Sequence, residues 1–92
     1  MNTLPKIAEL VVPVLRVLND NGPLNHKHIE SKIVEMLGIP NDLRNVLRLG
    51  NRTELNYRLS WARTKAKNLG YIEKQSSGVW ILTPKGNASL EH

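Results

Sequence analysis

Seven basic residues lie between positions 44 and 67 of this chain, and their side chains have the chemistry to bind phosphate groups. They are Arg44, Arg48, Arg52, Arg58, Arg63, Lys65 and Lys67. The same stretch contains one acid, Glu54, while the formal net charge of the whole chain is only +5. Because each phosphate that a cation neutralises releases condensed counterions, this basic cluster predicts a polyanionic partner, and we expect double-stranded DNA.

Other spacings that resemble catalytic or metal sites do not support that chemistry. Glu30 and Lys32 have the Glu-x-Lys spacing of metal-dependent nucleases, which place these residues on adjacent strands. Here the surrounding pattern is helical, so side chains two positions apart diverge by about 200°. His26 and His28 diverge in the same way, and no third ligand follows at a typical spacing. The sequence therefore predicts no catalytic residue, no metal site and no cofactor in this segment.

Apolar residues at steps of three and four predict two helices in the first half of the chain. Helix one is expected over about 4–19, with Thr3 as its N-cap and Pro5 in its first turn. Helix two is expected from His26 to Leu37, after Asn25 as a cap.

A third helix is predicted after a short helical turn over 40–47. Asn51 is its expected N-cap, because Glu54 follows at the spacing of a capping box, and Gly70 is its expected stop. The predicted core stripe is Leu55, Leu59, Ala62, Ala66 and Leu69.

The segment after helix three predicts a β-hairpin. Strands are expected over 71–74 and 79–82, with 75–78 as the connection. Ser76 and Ser77 are placed at an exposed tip. The residues predicted to face inward are Ile72, Trp80 and Leu82. The fold class is therefore α+β and mainly helical, and the order of elements is that of a winged helix-turn-helix, with a three-helix core plus a small β-hairpin wing.

Helix three is expected to present a polar face opposite its core stripe. At about 100° per residue, Tyr57, Ser60 and Thr64 lie 140 to 200° from that stripe, and Asn56 and Lys67 border them. A helix with such a face fits a major groove about 12 Å wide, so we expect helix 51–69 to dock there. The predicted DNA-binding residues are Arg52, Asn56, Tyr57, Arg58, Ser60, Thr64, Lys67, Lys74 and Ser77.

Purely structural interpretations of the same residues stay open at this point. The polar face of helix three could be an ordinary solvated surface. Trp61, at the boundary between core and surface, is expected to pack, with helix one as its neighbour, rather than stack on nucleic acid. Arg58 could anchor the helix as readily as hold a phosphate.

Four segments of the chain resemble one known family. They read PVLRVL over 13–18, YRLSWAR over 57–63, KNLG over 67–70 and GVWILTPKG over 78–86. They resemble the N-terminal domain of Mrr-type restriction endonucleases. The resemblance implies a winged-helix DNA reader that is joined, in its parent chain, to a C-terminal nuclease domain which often acts on modified DNA. The predicted wing is less basic than the resemblance would lead one to expect, because Lys74 is the only basic residue near its tip.

The chain as a whole predicts one domain over 1–89. The ending Leu-Glu-His over 90–92 is interpreted as the remnant of an expression tag. No segment approaches the roughly 18 apolar residues of a membrane span, and no secretory signal precedes helix one, so a cytoplasmic location without membrane contact is expected. The alternatives are a winged-helix transcription regulator and a protein interaction or dimerisation module, which leaves a homodimer open.

Overall fold

This computed structural model describes residues 3–91. They form five helices and two antiparallel β-hairpins. In chain order they are α1 (Ile7–Asn21), α2 (His26–Leu37), α3 (Asn41–Arg44), β1 (Leu47–Leu49), β2 (Arg52–Thr53), α4 (Glu54–Asn68), β3 (Ile72–Lys74), β4 (Trp80–Leu82) and α5 (Pro84–Leu90). The predicted α+β, mainly helical class is confirmed. His92, predicted to belong to a tag remnant, lies outside the described residues.

Helix α1 is the centre of the core, where it contacts α2, α4, α5 and β4. Its apolar stripe is fully buried at Leu10, Val14 and Val17. Facing it on α4, the predicted stripe residues Leu55, Leu59, Ala62 and Ala66 are also fully buried. The fifth, Leu69, is 43% exposed, so its placement in the core was wrong. Leu69 is the C-cap of α4, so the helix ends at this residue and the core does not cover its side chain.

The start of α1 differs from the prediction. Lys6 is the N-cap, and its backbone N–H donates to the Glu9 carboxylate over 2.9 Å. Thr3 is therefore not the cap, and Pro5 precedes the helix instead of lying in its first turn. A glutamate three residues after the cap satisfies the exposed backbone donor and selects this start.

The hairpin formed by β1 and β2 was not predicted. Leu47 pairs with Thr53 and Leu49 pairs with Arg52, and Gly50 takes the positive φ of 58° that this tight turn requires. The hairpin also shifts the start of α4. The hydroxyl of Thr53, not the side chain of Asn51, caps the helix by accepting from the Asn56 N–H at 3.0 Å. Asn51 is not the cap because it is part of the two-residue turn between β1 and β2.

The second hairpin was predicted correctly. Strand β3 pairs with β4 so that Ile72 lies opposite Leu82 and Lys74 opposite Trp80. Ile72 and Trp80 are buried, and Leu82 is partly buried against the core. Ser76 and Ser77 are exposed at the tip.

A backbone bridge joins this hairpin to the loop before α2. Leu24 and Trp80 exchange two backbone hydrogen bonds of 3.2 and 2.8 Å. The loop therefore adds one residue of pairing to the outer side of β4, which fixes the start of α2 relative to the hairpin.

Helix α5 closes the chain against the hairpin. The Thr83 hydroxyl caps it by accepting from the Gly86 N–H at 3.0 Å. Leu90, its last residue, packs against the core.

Candidate nucleic-acid interface

Helix α4 carries the predicted polar face, formed by Tyr57, Ser60 and Thr64 and called the candidate face below. Thr64 is exposed, and Tyr57 and Ser60 are half-buried. The Thr64 hydroxyl donates to the Ser60 carbonyl over 3.0 Å, which leaves its oxygen lone pairs free to accept. Lys67 is exposed in the last turn, about one helical turn beyond Thr64 and two beyond Ser60. The face therefore offers polar groups and one cation along three turns of the helix.

The β1–β2 hairpin covers the first turn of this face. The guanidinium carbon of Arg48 lies 3.5 Å from the centre of the Tyr57 ring, which is stacking distance. The same arginine donates to the Glu54 carboxylate at 3.1 Å. Arg48 was part of the basic cluster but was not among the predicted site residues. Tyr57 is consequently held against the hairpin instead of standing free on the helix.

Arg52 and Asn56 are held together at the start of α4. Arg52 Nε donates to Asn56 Oδ1 over 2.9 Å, and its guanidinium lies 5.5 Å from the Tyr57 ring. Asn56 keeps its amide N–H₂ group for a further acceptor. Arg52, Asn56 and Tyr57 therefore form one polar group of side chains.

Arg58 points away from the candidate face. Its Nε donates to Glu54 at 2.7 Å, and its Nη1 donates to the carbonyls of Leu4 and Pro5 at 3.1 and 3.0 Å. These bonds tie α4 to the segment before α1. Of the two interpretations of this arginine, the structure favours the anchor.

Glu54 lies between two arginines, which changes its acidity. The hydrogen bond from Arg58, together with a second from Arg48, holds the pKa of Glu54 below its usual value, although partial desolvation opposes them. The carboxylate therefore stays ionised in the folded protein.

Three cations of the basic cluster are paired within residues 3–91. Arg48 and Arg58 share Glu54, and Arg44 lies 3.4 Å from Glu30 of α2. These arginines are less available to phosphate than the sequence suggested.

Arg63 differs from the rest of the cluster because it is buried. Only 9% of its surface is exposed, and its guanidinium lies 5.9 Å from the ring of Trp80. Burial lowers the pKa of Arg63, and the charge of Arg52 lowers it further, while Glu30 opposes both. Neither its burial nor its neighbours were foreseen.

A polar crevice of about 560 Å³ lies between α2 and the start of α4. Its lining includes Lys27, Glu30, Arg44, Arg52, Thr53 and Asn56. Three cations and one acid, itself paired, give this α2–α4 crevice a positive charge, so it can attract an anion.

The β3–β4 hairpin supplies the last two predicted site residues. Lys74 is exposed at the end of β3, and its Nζ lies 5.7 Å from the centre of the Trp80 ring. Ser77 is exposed at the tip. Strand β3 contacts α4, so this hairpin lies beside the candidate helix.

Trp61 lies at the edge of the candidate face of α4. It is 51% exposed, and it lines a shallow apolar depression together with Thr64 of that face, Leu69 and Ile7 of α1. It shares no hydrogen bond or ring contact with the candidate face among the described residues.

One missed feature had a signal in the sequence. Apolar and polar residues alternate over 47–49, and Gly50-Asn51 and then Arg52-Thr53 follow, which is the pattern of a hairpin with a two-residue turn. The burial of Arg63 had no such signal, because it depends on Trp80, 17 positions away.

The fold and the site define a small, mainly helical domain with a cationic polar helix face. The family model of the Mrr N-terminal domain matches residues 8–92, and the chain belongs to this family. Membership fits a role associated with restriction systems. Comparison with curated proteins and with solved structures found no significant match. None of the helices within residues 3–91 is long and apolar enough to cross a membrane.

Proposed function

We propose that this domain is a winged helix-turn-helix reader of double-stranded DNA, in which α4 docks in the major groove and the β3–β4 hairpin is the wing. One observation carries the proposal. The candidate face of α4 is polar, Arg52 of β2 and Lys67 of α4 lie beside it, and Lys74 is exposed on β3, a strand that contacts α4. Such a helix has the width and the side chains that a major groove accepts.

The arrangement of the elements supports the same proposal. Helices α1, α2 and α4 form the core, and the bridge between Leu24 and Trp80 supplies a minimal third strand for the hairpin. The connection between α2 and α4 is longer than the turn of a simple helix-turn-helix, because it contains α3 and the β1–β2 hairpin. This insertion lies at the start of α4, where Arg48 and Arg52 extend the positive surface.

Family membership supports a targeting role within a larger restriction endonuclease. In this proposal the parent chain has a C-terminal nuclease domain, and the present domain brings that nuclease to DNA in the cytoplasm. The domain itself contributes binding and no chemistry.

Titration of a labelled duplex at two salt concentrations tests the DNA-binding proposal. We expect weak binding that falls steeply as salt rises, because a small basic surface depends on counterion release. Lys67→Ala should weaken binding to any duplex, whereas Arg16→Ala, which removes an exposed cation from the outer side of α1, should not. No binding at low salt, or equal effects of the two variants, would count against the proposal.

Four variants of α4 test whether it is the recognition helix. Tyr57, Ser60, Thr64 and Lys67 are each changed to Ala, and both duplex affinity and melting temperature are measured. If all four changes leave binding intact in folded protein, α4 does not read DNA.

A second candidate function, protein interaction or dimerisation, is favoured by two leucines on β1. Leu47 and Leu49 are 62% and 82% exposed, which is unusual for neighbouring large apolar side chains. Sedimentation of the wild type and of Leu49→Ser separates the two candidates. A wild-type dimer that becomes a monomer in Leu49→Ser would favour the interaction module.

A further inference from the structure

The Arg63 side chain is mostly buried, and one of its guanidinium nitrogens has no acceptor within reach. Its Nε is the sole buried side-chain polar atom within residues 3–91 that lacks a hydrogen-bond partner. The three ion pairs in the same range all use other arginines. Because burying a charged group without a partner is unfavourable, such a residue calls for a physical explanation.

A second cation lies beside the same aromatic ring. Lys74 Nζ of β3 and the Arg63 guanidinium of α4 lie 5.7 and 5.9 Å from the centre of the Trp80 ring. The electron-rich face of an indole attracts a cation but neutralises no charge. Two positive groups from different elements therefore lie within 6 Å of the centre of one indole ring, at the seam between α4 and the β3–β4 hairpin.

The positive charge continues along α4 toward the α2–α4 crevice. Asn56 lies seven residues before Arg63, and is therefore on the same side of the helix. It lines the crevice together with Lys27 and Arg52. An anion that enters from this side therefore lies near cations along two turns of α4. Glu30, the acid in the lining of the crevice, is already paired with Arg44 and repels the anion less.

We propose that Arg63 and Lys74 bind phosphate at this seam, and that its source is the backbone of the bound duplex. This inference rests on the DNA-binding function proposed above and assigns a specific contact to it. The phosphate supplies the acceptor that Arg63 lacks, and Trp80 holds the arginine ready in position. Arg63 is then a binding residue whose burial destabilises the free domain.

Arg63→Met tests the proposal because methionine fills similar space without charge. In free protein, the melting temperature of the variant should equal or exceed that of the wild type, since a buried unpaired charge is lost. Its duplex affinity at low salt should fall by about threefold to tenfold, and the slope of log affinity against log salt should decrease by about one unit. Lys65→Met, the same type of change on the opposite side of α4, is the matched control and should leave the slope unchanged.

Lys74→Met keeps the proposal testable if Arg63→Met does not fold, because Lys74 is exposed. It should reduce the salt slope by itself, and Arg63→Lys, which retains the charge, should restore the fold and keep most of the slope. If wild-type protein binds duplex while Arg63→Met and Lys74→Met bind equally well with the same slope, the phosphate site is wrong and the proposed function stands. If wild-type protein fails to bind duplex, the proposed function is wrong.

Inorganic phosphate is the probe for the source of the anion. If it raises the melting temperature of the wild type but not of Arg63→Met, while the two proteins bind duplex alike, the backbone assignment is overturned in favour of free phosphate.

Discussion

Glu54 determines where two arginines of the basic cluster point. Its carboxylate accepts hydrogen bonds from Arg58 at 2.7 Å and from Arg48 at 3.1 Å. One acid therefore holds both Arg58, which anchors the segment before α1, and Arg48, which stacks on Tyr57. A single acid among seven bases therefore has a structural role that its scarcity in the sequence does not reveal.

Arg58→Ala should lower the free energy of unfolding by about 1 to 3 kcal/mol, because the carbonyls of Leu4 and Pro5 lose a charged donor. Urea denaturation followed by circular dichroism measures the loss. Arg48→Ala, which breaks a more exposed pair with the same acid, is the control and should cost about 1 kcal/mol or less. Equal small losses would show that Arg58 does not anchor the segment before α1.

The lowered pKa of Glu54 gives stability a defined pH dependence. A carboxyl whose pKa is depressed by folding stabilises the protein above its unfolded value, and this contribution is lost as pH falls through the folded value. Wild-type protein should therefore lose stability relative to Glu54→Gln as pH is lowered below the ordinary value of 4.5. Melting temperatures of both proteins between neutral pH and pH 3 measure the difference, and parallel curves would contradict the assignment.

At the level of the elements, α4 combines two faces that respond differently to substitution. Leu59→Ala should lower the free energy of unfolding by about 2 to 5 kcal/mol because it opens a cavity in the core. Leu69→Ala, at the exposed C-cap, should cost less than about 1 kcal/mol. Chemical denaturation of both variants provides the comparison. A large loss at Leu69 would indicate that the end of the helix packs more closely than described.

Gly86 lets α5 pack closely against Tyr71 and Leu82, because it has no side chain. A Cβ there would collide with the backbone carbonyl of Tyr71 and lie 2.8 Å from Leu82 Cδ1. Gly86→Ala should therefore displace α5 from the hairpin and cost about 1 to 3 kcal/mol. Asn87→Ala, at the exposed neighbouring position, is the matched control. Protection of the α5 amides in hydrogen exchange should fall in the first variant and not in the second.

For the molecule as a whole, the cations that face the proposed interface without an ion pair in the described range set the salt dependence. They are Lys27, Arg52, Arg63, Lys67 and Lys74. With all five engaged, the slope of log affinity against log salt should be no steeper than about −5, because each neutralised phosphate contributes about 0.9. Duplex titrations over several salt concentrations measure this slope. A much steeper value would mean that the paired arginines leave Glu54 and Glu30 to contact DNA.

The sequence by itself determined the features that depend on near neighbours. Helical steps of three and four predicted α1, α2 and α4, and Gln75 to Gly78 predicted the second hairpin, because periodicity and turn chemistry act over a few residues. The polar face of α4 followed from the same geometry. The β1–β2 hairpin had a local signal as well, but the third helix was started two residues too early because Asn51 has the side chain of a cap.

Only the tertiary structure decided what each cation does. Arg58 reaches carbonyls more than 50 positions away, Arg44 pairs with Glu30 across 14 positions, and Arg63 is buried beside Trp80. Spacing along the chain carries no information about such partners, because they meet only when the helices and the hairpin pack. The sequence therefore predicted a basic surface, and the packing of the core selected which of its charges stay free to bind.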